Sequence, residues 1–447
     1  MENTRRAQRT WRALAVAGTA AAALALTSCS APGSGSGAKD AAAPQSASTD
    51  VGSDPVTLTL YDGAGLKTVD DALIAAFTKQ HPNVKIETRY DPDNVQAVNA
   101  PRVLASDDPP DIARIVALSD IVKSGLLTDL SPWASAYGWS DLPSGQLAQY
   151  TVDSNGVRGS GTQYTLASGF TVTGLYYSTT LLEKLGIDHA PTTTSELEAD
   201  LATAKAHNIT PIMAGNQTGG VMTSLQFLMN DAMGRDAVNG WVFDEPDATV
   251  ANPQAEAAAT TIQGWAKDGY FNADTNGTDG TGALGRFAKG EALFYASGNW
   301  DAAALQKQMG SDVGFVLPPR SADGKTLAMS DPVSNFGIPA KSEHKDAAAA
   351  FLNFLTTPEA RQILVDNGFA PTGSGTQPTT NGELSAQVQA AFADLVKADG
   401  QVQYVQNASN GASATWNAQV QLLVAGKTTP AAMMKAVQAQ YVQDLGR

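Results

Sequence analysis

VTLTLYDGAGLKTVDDALIAAFTKQHPNVKIETRYD, residues 56–91, reads as strand, turn, helix and strand in direct succession. Val56, Leu58 and Leu60 alternate with Thr57 and Thr59, the period of an extended chain with one face turned inward. Asp62-Gly63-Ala64-Gly65 turns the chain, because glycine reaches backbone conformations that other residues avoid. Thr68 is placed to cap a helix, with Asp71 three positions on. Val69, Leu73, Ala76 and Phe77 repeat at helical spacing, and His81-Pro82 stops the run. Val84, Ile86, Thr88 and Tyr90 restore the alternation. A second helix near residues 95–106, the breaker Pro109-Pro110 and a third strand over 111–117 extend the pattern to β-α-β-α-β. That order implies a parallel sheet with right-handed crossovers, whose ligands gather at the carboxyl ends of its strands. Those ends hold Tyr61, Asp62, Asp93 and Asp120, groups able to hydrogen-bond hydroxyls. Asp120 serves equally well as a helix cap.

The chain of 447 residues exceeds one core of usual size, so two or more lobes are expected. Hydrophobic residues at 43% and charged ones at 16% describe a folded body, not a disordered or fibrous one. Net charge is -15. The 28 residues before Cys29 contain four Arg and one Glu, which leaves 25 basic against 43 acidic residues and a net -18. Such a surface repels phosphate backbones and anionic lipid heads, which argues against nucleic-acid and peripheral membrane binding.

The one cysteine, Cys29, gains its meaning from position. Arg5, Arg6, Arg9 and Arg12 form a basic start, residues 13–26 an apolar run too short to span a bilayer, and Leu26-Thr27-Ser28-Cys29 closes it. This resembles a bacterial lipobox, which implies removal of residues 1–28 and a lipid on Cys29. Residues 30–54, rich in Gly, Ser, Ala and Pro, read as a flexible tether with a reach of roughly 27 Å. The body would then work at the extracellular face of the cell membrane.

A second stretch, RFAKGEALFYASGNWD at residues 286–301, sets a tryptophan directly after a Gly-Asn turn. Gly290 ends a helix, residues 292–296 form a short strand, and Ser297-Gly298-Asn299 breaks it. A loop held by such a scaffold can present Trp300 as an aromatic floor for a polar, ring-shaped ligand.

Ala75-Ala76-Phe77-Thr78-Lys79-Gln80-His81-Pro82-Asn83-Val84 resembles the opening of bacterial extracellular solute-binding proteins of the sugar-binding type, the maltose-binding-protein superfamily. Further motifs continue the resemblance in order. They are Pro110-Asp111-Ile112, Ser124-Gly125-Leu126-Leu127, Gly174-Leu175-Tyr176-Tyr177-Ser178, Ile209-Thr210-Pro211-Ile212, the stretch just quoted, Asn335-Phe336-Gly337-Ile338-Pro339 and Gly368-Phe369-Ala370-Pro371. The resemblance implies an α/β fold of two lobes, periplasmic-binding-protein-like (type II), with hinge crossings and a central cleft. It places crossings near residues 167–171, 297–300 and 335–338. It divides the body into an N-terminal lobe of 55–168 with 299–336 and a C-terminal lobe of 169–298 with 337–447.

The implied ligand is a sugar or oligosaccharide, and the implied partners are permease subunits of an ATP-driven importer. Acids and amides would meet the sugar's rim, and aromatic faces its rings. By match to the family's motifs, Thr171, Gln217, Thr218, Asn299, Trp300, Asn335 and Trp416 join the candidates. Trp133, Trp139, Trp241 and Trp265 read as structural. The chain departs from the family at Gly219-Gly220, where an aromatic is usual, and at Gly65 and Leu66, where a charge is.

Other signals fail on context. Gly280-Thr281-Gly282-Ala283-Leu284-Gly285 fits a dinucleotide fingerprint, but no strand precedes it. The string opening at Asp274 resembles a calcium loop, yet Gly285 stands where the closing Glu belongs. His81, His189, His207 and His344 show no metal-ligand spacing. Gly-Ser-Gly strings at Ser34, Ser160 and Ser374 are loops, not a nucleophile elbow. The expectation is a monomeric binding protein with no cofactor, no metal and no catalytic residues. Two alternatives stay open: an extracellular carbohydrate-acting enzyme, which needs a facing carboxylate pair, and a binding protein that feeds a sensor kinase.

Overall fold

A computed structural model describes residues 47–320, 324–373, 378–380, 382–409 and 411–446, apart from the side chains of residues 93 and 94. The expected signal segment, Cys29 and the tether through residue 46 lie outside the described residues, as do Ser34 and Ser374. The last part of the expected tether is not a free coil. The Ser48 amide donates to Asp346 at 2.9 Å, Asn83 donates to the Gly52 carbonyl at 3.2 Å, and Ala47 and Val51 pack against the core.

Two main sheets carry the body. Their strands are β1 (Val56–Gly63), β2 (Val84–Asp91), β3 (Ile112–Arg114), β4 (Thr165–Phe170), β5 (Thr173–Ser178), β6 (Thr210–Met213), β7 (Ala292–Gly298), β8 (Val313–Val316), β9 (Pro332–Gly337) and β10 (Ala370–Pro371). The first sheet runs β10-β4-β9-β3-β1-β2 and the second β8-β5-β7-β6. β1 pairs parallel with β2 and β3, as the alternating sequence anticipates, and Leu58 and Leu60 point into the core. The helix Lys67–Gln80 buries Val69, Leu73 and Phe77 on its apolar face. Thr68 does not cap it. A 3-10 turn, Ala64–Leu66, runs straight into the helix, so its start needs no side-chain acceptor.

The lobe boundaries differ from the expected ones. β8 pairs antiparallel with β5, and Phe315 meets the Tyr176 ring at 4.8 Å, so the chain after Trp300 stays with the second lobe. β9 and β10 belong to the first sheet, and the helices Lys345–Phe354 and Pro358–Asp366 cover it. Phe351 there meets Phe77 edge-on at 5.3 Å, on the apolar face of an alanine-rich helix whose Ala347 to Ala350 are buried. The chain therefore crosses at Thr171-Val172, again between Met329 and Pro332, and a third time between Pro371 and the helix Glu383–Lys397, which packs on β8. Residues 297–300 do not cross, and residues 335–338 lie in and just after β9.

The glycine string at 280–285 is itself the first turns of the helix Gly280–Phe287, capped by Asp279, whose carboxylate accepts from the Gly282 amide at 2.7 Å. Gly290, at φ +75, turns the chain after that helix into β7. Asp274 of the calcium-like string is held by Arg286 at 2.9 Å. Among the described residues no cluster of His, Cys, Asp and Glu could hold a metal ion. Among them, too, no helix is long and apolar enough to cross a membrane.

Candidate functional site

Strand directions bring the loops of both sheets together. β9 is antiparallel to β3 and begins beside Phe170, so the carboxyl ends of β1, β2 and β3 point toward the crossing. Gly298 pairs with Thr173, so β7, and β6 parallel to it, also end there. A gap between two sets of carboxyl-end loops is where α/β sheets bind ligands.

The crossing itself is laced by hydrogen bonds. Thr171 donates its amide to the Asp331 carbonyl at 2.9 Å, and its hydroxyl accepts the Asp331 amide at 3.0 Å. Ser330 donates its hydroxyl to the Thr171 carbonyl at 2.7 Å. Asn299, fully buried, accepts the Val172 amide at 3.2 Å and donates to the Phe170 carbonyl at 3.3 Å.

The Asp331 carboxylate lies beneath this lace, accepting the Tyr404 amide at 3.1 Å and the Asn407 side chain. Burial pushes its pKa up to about 6, against the pull of Asn407, the Tyr404 amide and the Arg158 charge. In the unfolded chain it titrates near 4. The raised value means the folded state holds its proton more tightly. This stability is complete below the unfolded value and is lost as pH rises through about 6. Between pH 5 and pH 7 the loss is on the order of 1 kcal/mol. Urea midpoints of the wild type and Asp331→Asn across that range should show the variant with the flatter slope. Equal slopes would mean that Asp331 is not the group responsible.

One cavity, of about 310 Å³, opens between the lobes. Its first-lobe wall comes from Ala97 and Val98 on the helix Asp93–Ala105 and from Val116 to Asp120 after β3. Its second-lobe wall comes from residues 406–409 with Ser413, Val242, Asp244, Asp444 and Leu445. Lys123 and Asp244 join the walls at 3.5 Å. Arg158 also lines the cavity, 9% exposed, with its guanidinium 4.8 Å from the Phe243 ring centre. It donates to Gln403 at 3.2 Å, its Nε has no partner, and burial lowers its pKa to about 10.

Of the residues expected at the site, Asp120 lines this cavity and is exposed. Gln217 and Thr218 are exposed after β6, in a loop that continues the second wall. Gly219, at φ +89, lies against Asn417, and Asn417 accepts from Gln406 at 2.8 Å. Trp300 is 47% exposed at the end of β7. Its indole lies on the backbone of Gly298, where an added Cβ would come within 2.1 Å of the ring. Thr171 is half-buried, its hydroxyl shared with the crossing. Asp93 opens the helix Asp93–Ala105, and its side chain lies outside the described residues.

The other expected groups are placed elsewhere. Tyr61 is buried and donates to Asp91 at 2.7 Å. Asp62 is fully buried, 3.6 Å from Arg114 and hydrogen-bonded to Asp70. Burial and the neighbouring Asp62 raise Asp70 well above the ordinary carboxylate range. Asn335 sits inside the first sheet and donates to the Ile115 carbonyl at 3.3 Å. The Asn299 side chain is consumed by the crossing. Trp416 is fully buried, edge-on to Trp241 at 6.0 Å, in the core of the second lobe. Trp133, Trp139, Trp241 and Trp265 are buried as expected. Arg158, Asp331 and Asn407 are additions that the sequence reading did not contain.

The model of the bacterial extracellular solute-binding protein family matches residues 63–362. The chain is similar to the Multiple sugar-binding protein of Streptococcus mutans serotype c, 23% identical over 367 residues, which cover 79% of this chain and 84% of that one. Among solved structures it is similar to a chitin oligosaccharide binding protein, at TM-score 0.72 and 21% identity over 88% of this chain and 100% of that one. It is also similar to the apo-form of RafE from Streptococcus pneumoniae, at TM-score 0.69 and 22% identity over 87% and 98%.

Proposed function

The chain belongs to the bacterial extracellular solute-binding protein family, with its two-lobe, periplasmic-binding-protein-like fold, and on that premise we propose that it is the receptor of an ATP-driven sugar importer. A saccharide enters the gap at the crossing, contacts from both lobes favour the closed arrangement, and a permease receives the closed form. The carrying observation is the cavity between the loop after β3 and second-lobe residues near 242–244, 406–413 and 444–445, with amides, hydroxyls and carboxylates on its second-lobe wall beside Val242 and Leu445. At about 310 Å³ it stands at the low end of the roughly 300–1,000 Å³ of small-molecule sites, which favours a short saccharide. Names of the relatives support the same ligand class: RafE is described in complex with raffinose and another relative as maltose-bound. Cys29 is the proposed point of lipid attachment, holding the receptor at the extracellular face.

Titration calorimetry against mono-, di- and oligosaccharides tests the reading, and binding by none of them would end it. Turnover of a bound sugar over days would point instead to the enzyme. Asp120, Gln217, Thr218 and Trp300 are the proposed contacts. Trp300→Ala should weaken binding by about tenfold or more while leaving the unfolding midpoint unchanged, because the exposed indole face contributes stacking area and little core. Unchanged affinity would move the ligand away from the end of β7.

A further inference from the structure

Six large hydrophobic side chains are exposed among the described residues, and three of them, Val95, Val98 and Val116, belong to the first lobe. Val98 and Val116 line the inter-lobe cavity, and Val95 sits three positions before Val98 on the same helix. Val98 is 80% exposed. Single apolar side chains on a surface need no explanation, but a group of them on one side of a cavity marks a binding face. The valine wall also carries Ser119 and Asp120, while the opposite wall has more polar groups, Gln406, Asn407, Ser409, Ser413, Asp244 and Asp444, beside Val242 and Leu445. Among the described residues that line the cavity none is aromatic, and Trp300, the ring proposed to meet the ligand, stands outside this lining at the end of β7.

A plain hexose offers hydroxyls around its whole edge. Seated here, it would turn some of them toward valines that can accept or donate nothing, and a desolvated hydroxyl without a partner is unfavourable. The cavity suits a guest with hydroxyls on one edge and an aliphatic group on the other. We infer that the preferred ligand is a saccharide carrying a methyl group, which Val98 and Val116 receive while the second-lobe wall binds its hydroxyls. Two sugar chemistries supply that group: the C6 methyl of a 6-deoxyhexose and the acetamido methyl of an N-acetylhexosamine. The inference rests on the receptor reading above and narrows its ligand.

Calorimetry on the full chain with matched pairs tests it: L-fucose with L-galactose, L-rhamnose with L-mannose, N-acetylglucosamine with glucose, and N,N′-diacetylchitobiose with cellobiose. In at least one pair the methyl-bearing member should bind about fivefold tighter, the gain expected for burying one methyl group. Preference within the first two pairs identifies the deoxy sugar, and within the last two the acetamido sugar. Val98→Ser should cut that preference, read as the ratio of the two affinities within a pair, to less than about twofold. The exposure of Val98 keeps the fold out of the comparison, and an unchanged melting temperature checks this. Saccharide binding without preference in any pair overturns the inference and leaves the receptor reading standing. Equal weakening of both members by Val98→Ser also overturns it, since the valines would then pack against the closing lobe. No binding by any saccharide takes down the receptor reading and this inference with it.

Discussion

Trp416→Ala should lower the unfolding free energy by about 3–5 kcal/mol, the range for deleting a buried indole, without a matching loss of ligand affinity in the molecules that remain folded. Trp416 is fully buried on the helix Ala412–Val424. It stands edge-on to Trp241 at 6.0 Å, and Trp241 in turn lies 4.5 Å from Tyr441 on the last helix. Tyr441 donates to the Trp241 carbonyl at 2.7 Å, and Gln438 accepts from the Trp241 indole at 3.0 Å. Removing one ring therefore loosens the seam where two C-terminal helices meet the second lobe. The Trp416 indole nitrogen has no partner, so Trp416→Phe deletes an unpaired donor along with some ring area and should cost less. Urea midpoints at constant m-value give the stability change. A variant with normal stability and lost affinity would return Trp416 to the ligand.

Asn299→Ala should cost about 2–6 kcal/mol, because it removes the side-chain partner of two buried backbone groups at about 1–3 kcal/mol each. Those groups are the Val172 amide and the Phe170 carbonyl, both in residues with no exposure. The Asn299 amide keeps its own bond to the Val172 carbonyl at 2.9 Å, so the turn persists while its side-chain support is gone. Chemical denaturation measures the loss, and hydrogen exchange at the Val172 amide should accelerate with it. A change below about 0.5 kcal/mol would show that water replaces the amide, and that the crossing is wetter than its burial implies.

The first two strands and two helices were legible because period two and period 3.6 succeed one another from Val56 to Leu104. Gly290 was legible because a helix end needs a residue that tolerates positive φ. The order of family motifs conveyed two lobes. The route between lobes was not legible, because nothing in the polar run before Pro332 marks where one sheet gives way to the other. Motifs fix which residues recur and not which sheet they join, and β8 and β10 were exchanged for that reason. Asn299 shows a second limit. An amide serves a sugar hydroxyl or a peptide group equally well, and its type does not say which.

Trp416 was readable in principle. Ala412, Trp416, Val420 and Leu423 repeat at helical spacing and all are buried, an apolar stripe that should have outweighed the analogy. Asp62 was placed at a strand end and assumed wet, yet the neighbouring helix covers it and supplies Asp70. Arg158 carries no local sign. It follows an Asn-Gly turn, and the groups that bury it, Phe243 and Gln403, are distant in sequence.

β9 has a bearing on how the molecule is made. It is the plank between β3 and β4, and the ribosome delivers it only after every strand of the second sheet. A growing chain halted before Pro332 has every strand of the second sheet but not the C-terminal helices that complete its core, while the first sheet carries two raw strand borders and no cover over Phe77. The earliest part synthesised is thus among the last to set, and a chaperone or export pore engaging the newborn protein meets an opening segment still pliable and ready to thread.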